Sequence, residues 1–93
     1  MALLITADLP AGDAAEDREL SESLGFDRGA FPELRWRLAG PTTNRGWRSV
    51  ALWDSREAFE AFRDGPLAAA LLERERPVPT FTLWEPEIVT PPQ

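Results

Sequence analysis

The stretch GWRSVALWDSREAFEAF, residues 46–62, joins a strand to a helix and decides the fold. One row of alternate positions in its first half consists of Trp47, Ser49, Ala51 and Trp53, and this period of two predicts a strand over 47–53. Asp54 and Ser55 then precede a segment in which Phe59 and Phe62 recur at helical spacing, so we predict that a helix begins here. A strand that runs directly into a helix is typical of domains in which helices pack on a sheet.

A first strand and a first helix are predicted upstream. Residues 2–9 are apolar and end before Pro10, as expected of a strand. Asp13 and Glu16 have the spacing of a helix start, and Gly25 suits the helix end. The pattern therefore opens with a strand followed by a helix.

A hairpin is predicted between this helix and the opening stretch. Residues 33–39 alternate between apolar and charged side chains, which indicates a half-buried strand. Residues 40–46 are dense in turn residues and connect this strand to the next.

Downstream, Gly65 and Pro66 must break or kink the second helix, because proline removes a donor and clashes with the preceding turn. A fourth strand is expected over roughly residues 80–89, and Pro86 within it predicts either an edge position or an interruption of the strand. Residues 88–93 form a tail.

The element order predicts one α+β domain over residues 1–93, with the ferredoxin-like βαββαβ topology. Right-handed crossovers then give a four-stranded antiparallel sheet with both helices on one face. The other face is expected to be apolar and to need a cover. A second copy would supply that cover, so we predict a homodimer.

The composition restricts the possible chemistry. The chain has no Cys, His or Tyr, and all ten basic residues are Arg. Thiolate, imidazole and lysine Schiff-base mechanisms are therefore unsupported, and no metal and no cofactor are expected. A net charge of −6 without a basic cluster argues against nucleic acid or a membrane surface as partner. The amino terminus lacks a basic leader, so a cytoplasmic location is expected.

Residues 46–62, together with the hairpin residues 38–42 before them, resemble the dimeric α/β-barrel superfamily. The resemblance is greatest to antibiotic biosynthesis monooxygenase (ABM) domains, in which a strand ending in Trp, an acidic residue and Ser leads into a helix with an aromatic pair. This resemblance implies a dimeric α/β barrel in which Trp53 lines a ligand cavity. It also implies either a cofactor-independent oxygenase or a cyclase of secondary metabolism, or a protein without catalytic activity.

Candidate site residues follow from the strand faces. The row of Trp47, Ser49, Ala51 and Trp53 is expected on the sheet surface that meets the partner, where Trp walls and small floor residues suit a flat aromatic ligand. If Leu34, Trp36 and Leu38 pack under the helices, both Arg35 and Arg37 face the barrel and can hold a carboxylate, phenolate or enolate. Packing within the dimer core and solvated arginines are the alternatives.

The outer strands add further candidates. Thr6 and Asp8 share one side of the first strand, and Asp8 is the best candidate for a general base if a proton is removed. Its alternative is an ion pair with a neighbouring arginine. Thr82 and Trp84 share one side of the fourth strand, but the pattern does not decide whether that side meets the helices.

Three functions remain open on these observations. The first is a cofactor-free monooxygenase or cyclase that acts on an aromatic, polyketide-like substrate, with Arg37 stabilising an anion and Asp8 moving a proton. The second is a non-catalytic, ligand-binding or stress-associated dimer, which the shortage of acid–base side chains favours. The third is a structural subunit of a larger assembly.

Overall fold

The computed structural model describes residues 2–91. The strands are β1 (Leu3–Leu9), β2 (Leu34–Pro41), β3 (Trp47–Trp53) and β4 (Thr80–Trp84), and the helices are α1 (Ala14–Leu24), α2 (Arg56–Phe62) and α3 (Ala68–Glu73). A 3₁₀ turn, Phe26–Arg28, follows α1, and a π turn, Arg63–Leu67, joins α2 to α3. The predicted element order is confirmed. Residues 92 and 93 of the predicted tail lie outside the described residues.

The four strands form one antiparallel sheet in the order β2-β3-β1-β4. This is the ferredoxin-like α+β arrangement, with β1 and β3 at the centre. The predicted edge position of the fourth strand is confirmed, but β4 ends at Trp84 rather than near residue 89. Pro86 has no N–H to donate to a ladder, which explains the earlier end.

The helix boundaries agree with local capping chemistry. Asp13 accepts a hydrogen bond from the Glu16 amide at 2.9 Å and begins α1, and Gly25 ends it with φ 81°. Ser55 accepts from the Ala58 amide at 3.1 Å and begins α2. Pro66 does not break the second helix but widens it locally into the π turn, which accommodates the missing donor.

The core lies between the sheet and the α2–α3 unit. It consists of Leu3, Ile5, Ala51, Trp53, Phe59, Phe62, Leu67 and Leu71. Helix α1 differs, because none of its residues is buried, and Leu20 and Leu24 are only partly buried against this core. The second helical unit therefore supplies most of the apolar packing on the sheet.

The structure corrects the face of the sheet that was predicted for the β3 row. Trp47, Ser49, Ala51 and Trp53 were expected on the surface that meets a partner, but they lie on the helix-covered face. Trp53 is 3% exposed, and its ring centroid lies 5.0 Å from that of Phe62. Phe59 and Phe62 of α2 pack against the Trp53 ring. Both tryptophans of β3 lie on this face of the strand.

The structure also corrects which side chains of β2 face the helices. The strand contains a bulge between Leu34 and Trp36, so that Leu34 pairs with Trp53 and Trp36 with Leu52. The extra residue, Arg35, shifts the alternation by one position. Leu34 and Arg37 consequently share the helix side, while Trp36 and Leu38 lie on the open face, 42% and 66% exposed.

The open face of the sheet is organised in transverse rows. One row consists of Trp36, Leu52, Leu4 and Trp84, the next of Leu38, Val50, Thr6 and Thr82, and the last of Gly40, Arg48, Asp8 and Thr80. The first row is entirely apolar and the last is polar. Phe81 and Leu83, between these positions on β4, pack instead against the core, which decides the question that the sequence left open.

Candidate functional site

A cavity of about 510 Å³ lies between the sheet and the helices. Its walls come from all four strands, α1, the end of α3 and the loop after it. Helix α1 borders the cavity and has no buried residue. A volume of this size is sufficient for a small-molecule ligand.

Small and aromatic side chains shape the interior. Ala7, Ser49 and Ala51 leave open space on the floor, and Trp47 and Trp53 flank them. The loop before α1 closes in on Trp47, since a Cβ added at Gly12 would lie only 2.8 Å from the Trp47 Cβ. A flat, rigid molecule can therefore be held beside the Trp47 indole here.

A charged cluster forms the wall beside α1. Arg37 Nη1 and Nη2 donate to Asp17 Oδ1 and Oδ2 at 2.9 and 2.6 Å. Trp47 Nε1 also donates to Asp17 Oδ2, at 2.9 Å, and Ser21 Oγ donates to Oδ1 at 3.1 Å. The Arg37 guanidinium lies 5.4 Å from the Phe26 ring centroid, in cation–π geometry.

Asp17 is held in its charged form by this cluster. Burial alone would raise the pKa of its carboxyl, but hydrogen bonds from Arg37, Trp47 and Ser21 and the charge of Arg37 together lower it below 3.8. Asp17 is therefore an anion at neutral pH. It fixes Arg37 and Trp47 in position and is not suited to donate a proton.

A second set of charges lies where α1 meets the segment after α3. Arg76 Nη2 is 2.6 Å from Glu16 Oε1. Arg74 Nε is 3.9 Å from Glu19 Oε1 and is buried without a hydrogen-bond partner among the described residues. Both arginines line the cavity, so its mouth has acidic residues on the α1 side and basic residues opposite.

The structure brings together half of the residues that the sequence singled out. Arg37, Trp47, Ser49, Ala51 and Trp53 all line the cavity. Thr6, Asp8, Thr82 and Trp84 lie on the open face of the sheet, on the other side from it.

Two of the candidates are held in ion pairs away from the cavity. Arg48 Nε donates to Asp8 Oδ1 at 2.6 Å, which matches the alternative reading of Asp8 as the partner of an arginine. The exposed Arg35, at the bulge, donates from Nη2 to Asp54 Oδ2 at 2.9 Å. Asp8 and Arg37 are therefore on opposite faces of the sheet and do not act together within one chain.

Asp17 and Arg74 are charged residues of the cavity that the sequence analysis did not single out. Asp17 lies three residues before Leu20 and seven before Leu24, which is the spacing of one helix face. Arg74 lies three residues after Leu71, a core residue. Helical spacing relative to these leucines was the signal that could have found both.

Within residues 2–91 no three acidic side chains come close enough together to hold a metal ion. In the same range no helix is long and apolar enough to cross a membrane.

The fold of this chain is shared with known structures. No family model matches the sequence, and no curated protein matches it. Solved structures do match over nearly the whole chain, and their names include antibiotic biosynthesis monooxygenases and a cofactor-independent oxygenase. The chain has the fold of the ABM domains, as the resemblance of residues 38–62 implied.

Three of these structures illustrate the range of the class. A monooxygenase from Streptomyces coelicolor, the product of the gene ActVA-Orf6, solved with the ligand nanaomycin D, is 18% identical, with a TM-score of 0.68 and coverage of 99% of this chain and 93% of that one. SnoaB, a cofactor-independent oxygenase from Streptomyces nogalater, is 15% identical, with a TM-score of 0.66 and coverage of 98% and 97%. NE2512, a protein of unknown function from Nitrosomonas europaea, is 16% identical, with a TM-score of 0.69 and coverage of 99% and 95%.

Proposed function

We propose that this chain is a cofactor-independent monooxygenase that binds a planar, aromatic, polyketide-like molecule in the cavity between its sheet and helices. The single observation that carries the proposal is the combination of open volume with indole walls. The cavity measures about 510 Å³ and places Trp47 and Trp53 beside the small side chains of Ser49 and Ala51. The ABM-type fold, which an oxygenase and a monooxygenase with a bound ligand share, supports the same class.

The reaction proposed is the oxygenation of a phenol to a quinone. The ionised ring gives up four electrons to dioxygen, one oxygen atom replaces a ring hydrogen and becomes the new carbonyl, and the other leaves as water. The chain's own residues bind and orient the ring. Asp17 orients the Trp47 indole, and Arg37, which pairs with the same carboxylate, fixes the wall beside it.

A specific observation favours a second function, non-catalytic binding of the same kind of ligand. Asp8, the candidate base, lies across the sheet from the cavity in a pair with Arg48. The acids that do line the cavity include Asp17, whose lowered pKa makes it a weak base. This geometry therefore also supports a protein that binds the aromatic ring without activating it.

We further propose that the active form is a homodimer built through the open face of the sheet. Trp36 and Trp84 are 42% and 48% exposed there, at the two ends of one apolar row. The charges of this face, Asp8 and Arg48, are already paired with each other, so a second copy meets few unpaired charges. A two-fold axis through the sheet would cover each apolar row with its counterpart.

The experiment for the reaction is a titration with polycyclic phenols and quinones in which tryptophan fluorescence reports binding. Oxygen consumption and product mass are measured with every phenol that binds. We expect quenching of indole emission, uptake of one dioxygen per phenol, and a product that has gained one oxygen and lost two hydrogens. Binding without oxygen uptake would establish the second function, and an absence of binding across the series would refute both.

The homodimer has a separate measurement. Light scattering at micromolar protein should return about twice the 10.4 kDa chain mass. A monomeric mass under these conditions would contradict the proposed interface without affecting the cavity.

A further inference from the structure

Three arginines line the cavity, and they differ in how firmly they are held. Both oxygens of Asp17 accept hydrogen bonds from Arg37. Arg76 has an acidic oxygen at 2.6 Å. Arg74 has its nearest acidic oxygen 3.9 Å from Nε, beyond hydrogen-bond range, and that Nε has no partner within the part of the chain that the structure describes.

The environment of Arg74 makes this loose pairing unusual. Its side chain is 25% exposed, whereas that of Glu19, its nearest acid, is 72% exposed. The Nε of Arg74 is thus buried, while the nearest carboxylate remains in water. Buried N–H groups are nearly always satisfied, because an unsatisfied one destabilises the folded chain.

We propose that Arg74 binds an anionic group of the aromatic ligand, a carboxylate or an ionised phenol. This inference rests on the ligand cavity proposed above and names the chemical class of its ligand. A guanidinium offers two parallel N–H donors to such a group. Since Nε is covered by protein atoms, the side chain must rotate to meet the ligand, and its long ion pair with Glu19 is the interaction that it exchanges.

The position of Arg74 also orients the ligand. It directly follows α3 and lies three residues after Leu71, whose side chain is in the core and also lines the cavity. The acidic group of the ligand is therefore held beside the end of α3. Its rings then extend over the apolar floor formed by Ala7 and Ala51.

The test uses two anthraquinones with the same rings, anthraquinone-2-carboxylate and 2-(hydroxymethyl)anthraquinone, each titrated against tryptophan fluorescence. We expect the wild-type chain to bind the carboxylate about tenfold more tightly than the alcohol, the low end of what hydrogen bonds to charged groups contribute. Arg74→Gln should abolish this preference and leave the affinity for the alcohol unchanged. Arg56→Gln, a control at an arginine that lies outside the cavity and pairs with Glu60, should retain the preference.

The other outcomes separate the two proposals. If the alcohol binds but the carboxylate has no advantage, or if the preference survives Arg74→Gln, the role of Arg74 is refuted and the cavity is not. If neither compound binds, the proposed function fails and this inference fails with it.

A stability measurement tests whether Arg74 acts only as a structural residue. Because its Nε is unpaired, we expect Arg74→Gln to leave the midpoint of thermal unfolding unchanged or to raise it. A lowered midpoint together with weaker binding of both compounds would show that Arg74 supports the fold, and would overturn the proposal.

Discussion

Arg37, on an edge strand of the sheet, and Asp17, on the first helix, form a two-pronged ion pair whose N···O distances are 2.9 and 2.6 Å. The side chains are 24% and 14% exposed, which makes this the most buried of the ion pairs among residues 2–91. It ties α1 to β2 beside the cavity. The same carboxylate holds the Trp47 indole, so one residue connects the helix, the edge strand and the aromatic wall.

Asp17→Asn should destabilise the chain by about 1–3 kcal/mol, the cost of leaving partly buried donors without their charged acceptor. The free energy of unfolding in urea measures this. Asp64→Asn is the matched control, since Asp64 pairs with Arg63 in solvent and is 66% exposed; it should give no measurable change. Equal effects of the two substitutions would contradict the central position given to Asp17.

The acid stability of the chain should depend on the same carboxyl. The pKa of Asp17 is lowered below 3.8 in the folded chain. Its ionised carboxylate therefore stabilises the fold fully at pH values well above 3.8, and this stabilisation is lost as the pH falls through the lowered pKa. The difference in unfolding free energy between wild type and Asp17→Asn should thus be constant from neutral pH to about pH 5 and shrink in stronger acid. A difference that grows with acid would mean that the folded pKa is raised.

Filling the cavity should abolish ligand binding without harming the fold. Ala7→Leu adds apolar atoms over the cavity floor. We expect the affinity for a tricyclic phenol to fall by about tenfold or more and the thermal stability to be kept or raised. Thr6→Leu is the matched control, because Thr6 is the neighbouring residue on the opposite face of β1. If both variants bind as the wild type does, the ligand site lies elsewhere.

A charge on the open face of the sheet should separate the proposed dimer. Leu38 is 66% exposed on that face, and Leu72 is 81% exposed on α3. Leu38→Glu should give a monomer by light scattering, because a carboxylate buried at an apolar interface is strongly disfavoured. Leu72→Glu should leave the mass unchanged, and dissociation by both variants would point to a different interface.

The elements of this fold could be predicted because their signals are local. Asp13 and Ser55 are capping residues next to the helices they begin, and β3 has the predicted bounds of 47–53. The element order supplied the fold class, and the resemblance of residues 38–62 supplied the ABM type of that fold. Trp53, which the resemblance implied as a cavity residue, is among those that line the cavity.

The faces of the strands were harder to predict, because they depend on pairing with distant residues. Nothing in residues 33–39 marks Arg35 as the extra residue of a bulge, and the bulge moves Arg37 to the helix side. The partnership of Arg37 with Asp17 likewise depends on the tertiary packing of α1. The orphaned donor of Arg74 is a property of three-dimensional burial alone, which no pattern in its own segment encodes.

Helix α1 has no buried residue, and this has a kinetic consequence. Its three ion pairs, from Glu16, Asp17 and Glu19, can open while α2, α3 and the sheet keep their mutual packing. Ligand exchange then requires only a local opening, whose free energy is smaller than that of global unfolding. Since the partly exposed pairs of Glu16 and Glu19 weaken as salt screens them, the residence time of a bound ligand should shorten as the ionic strength rises.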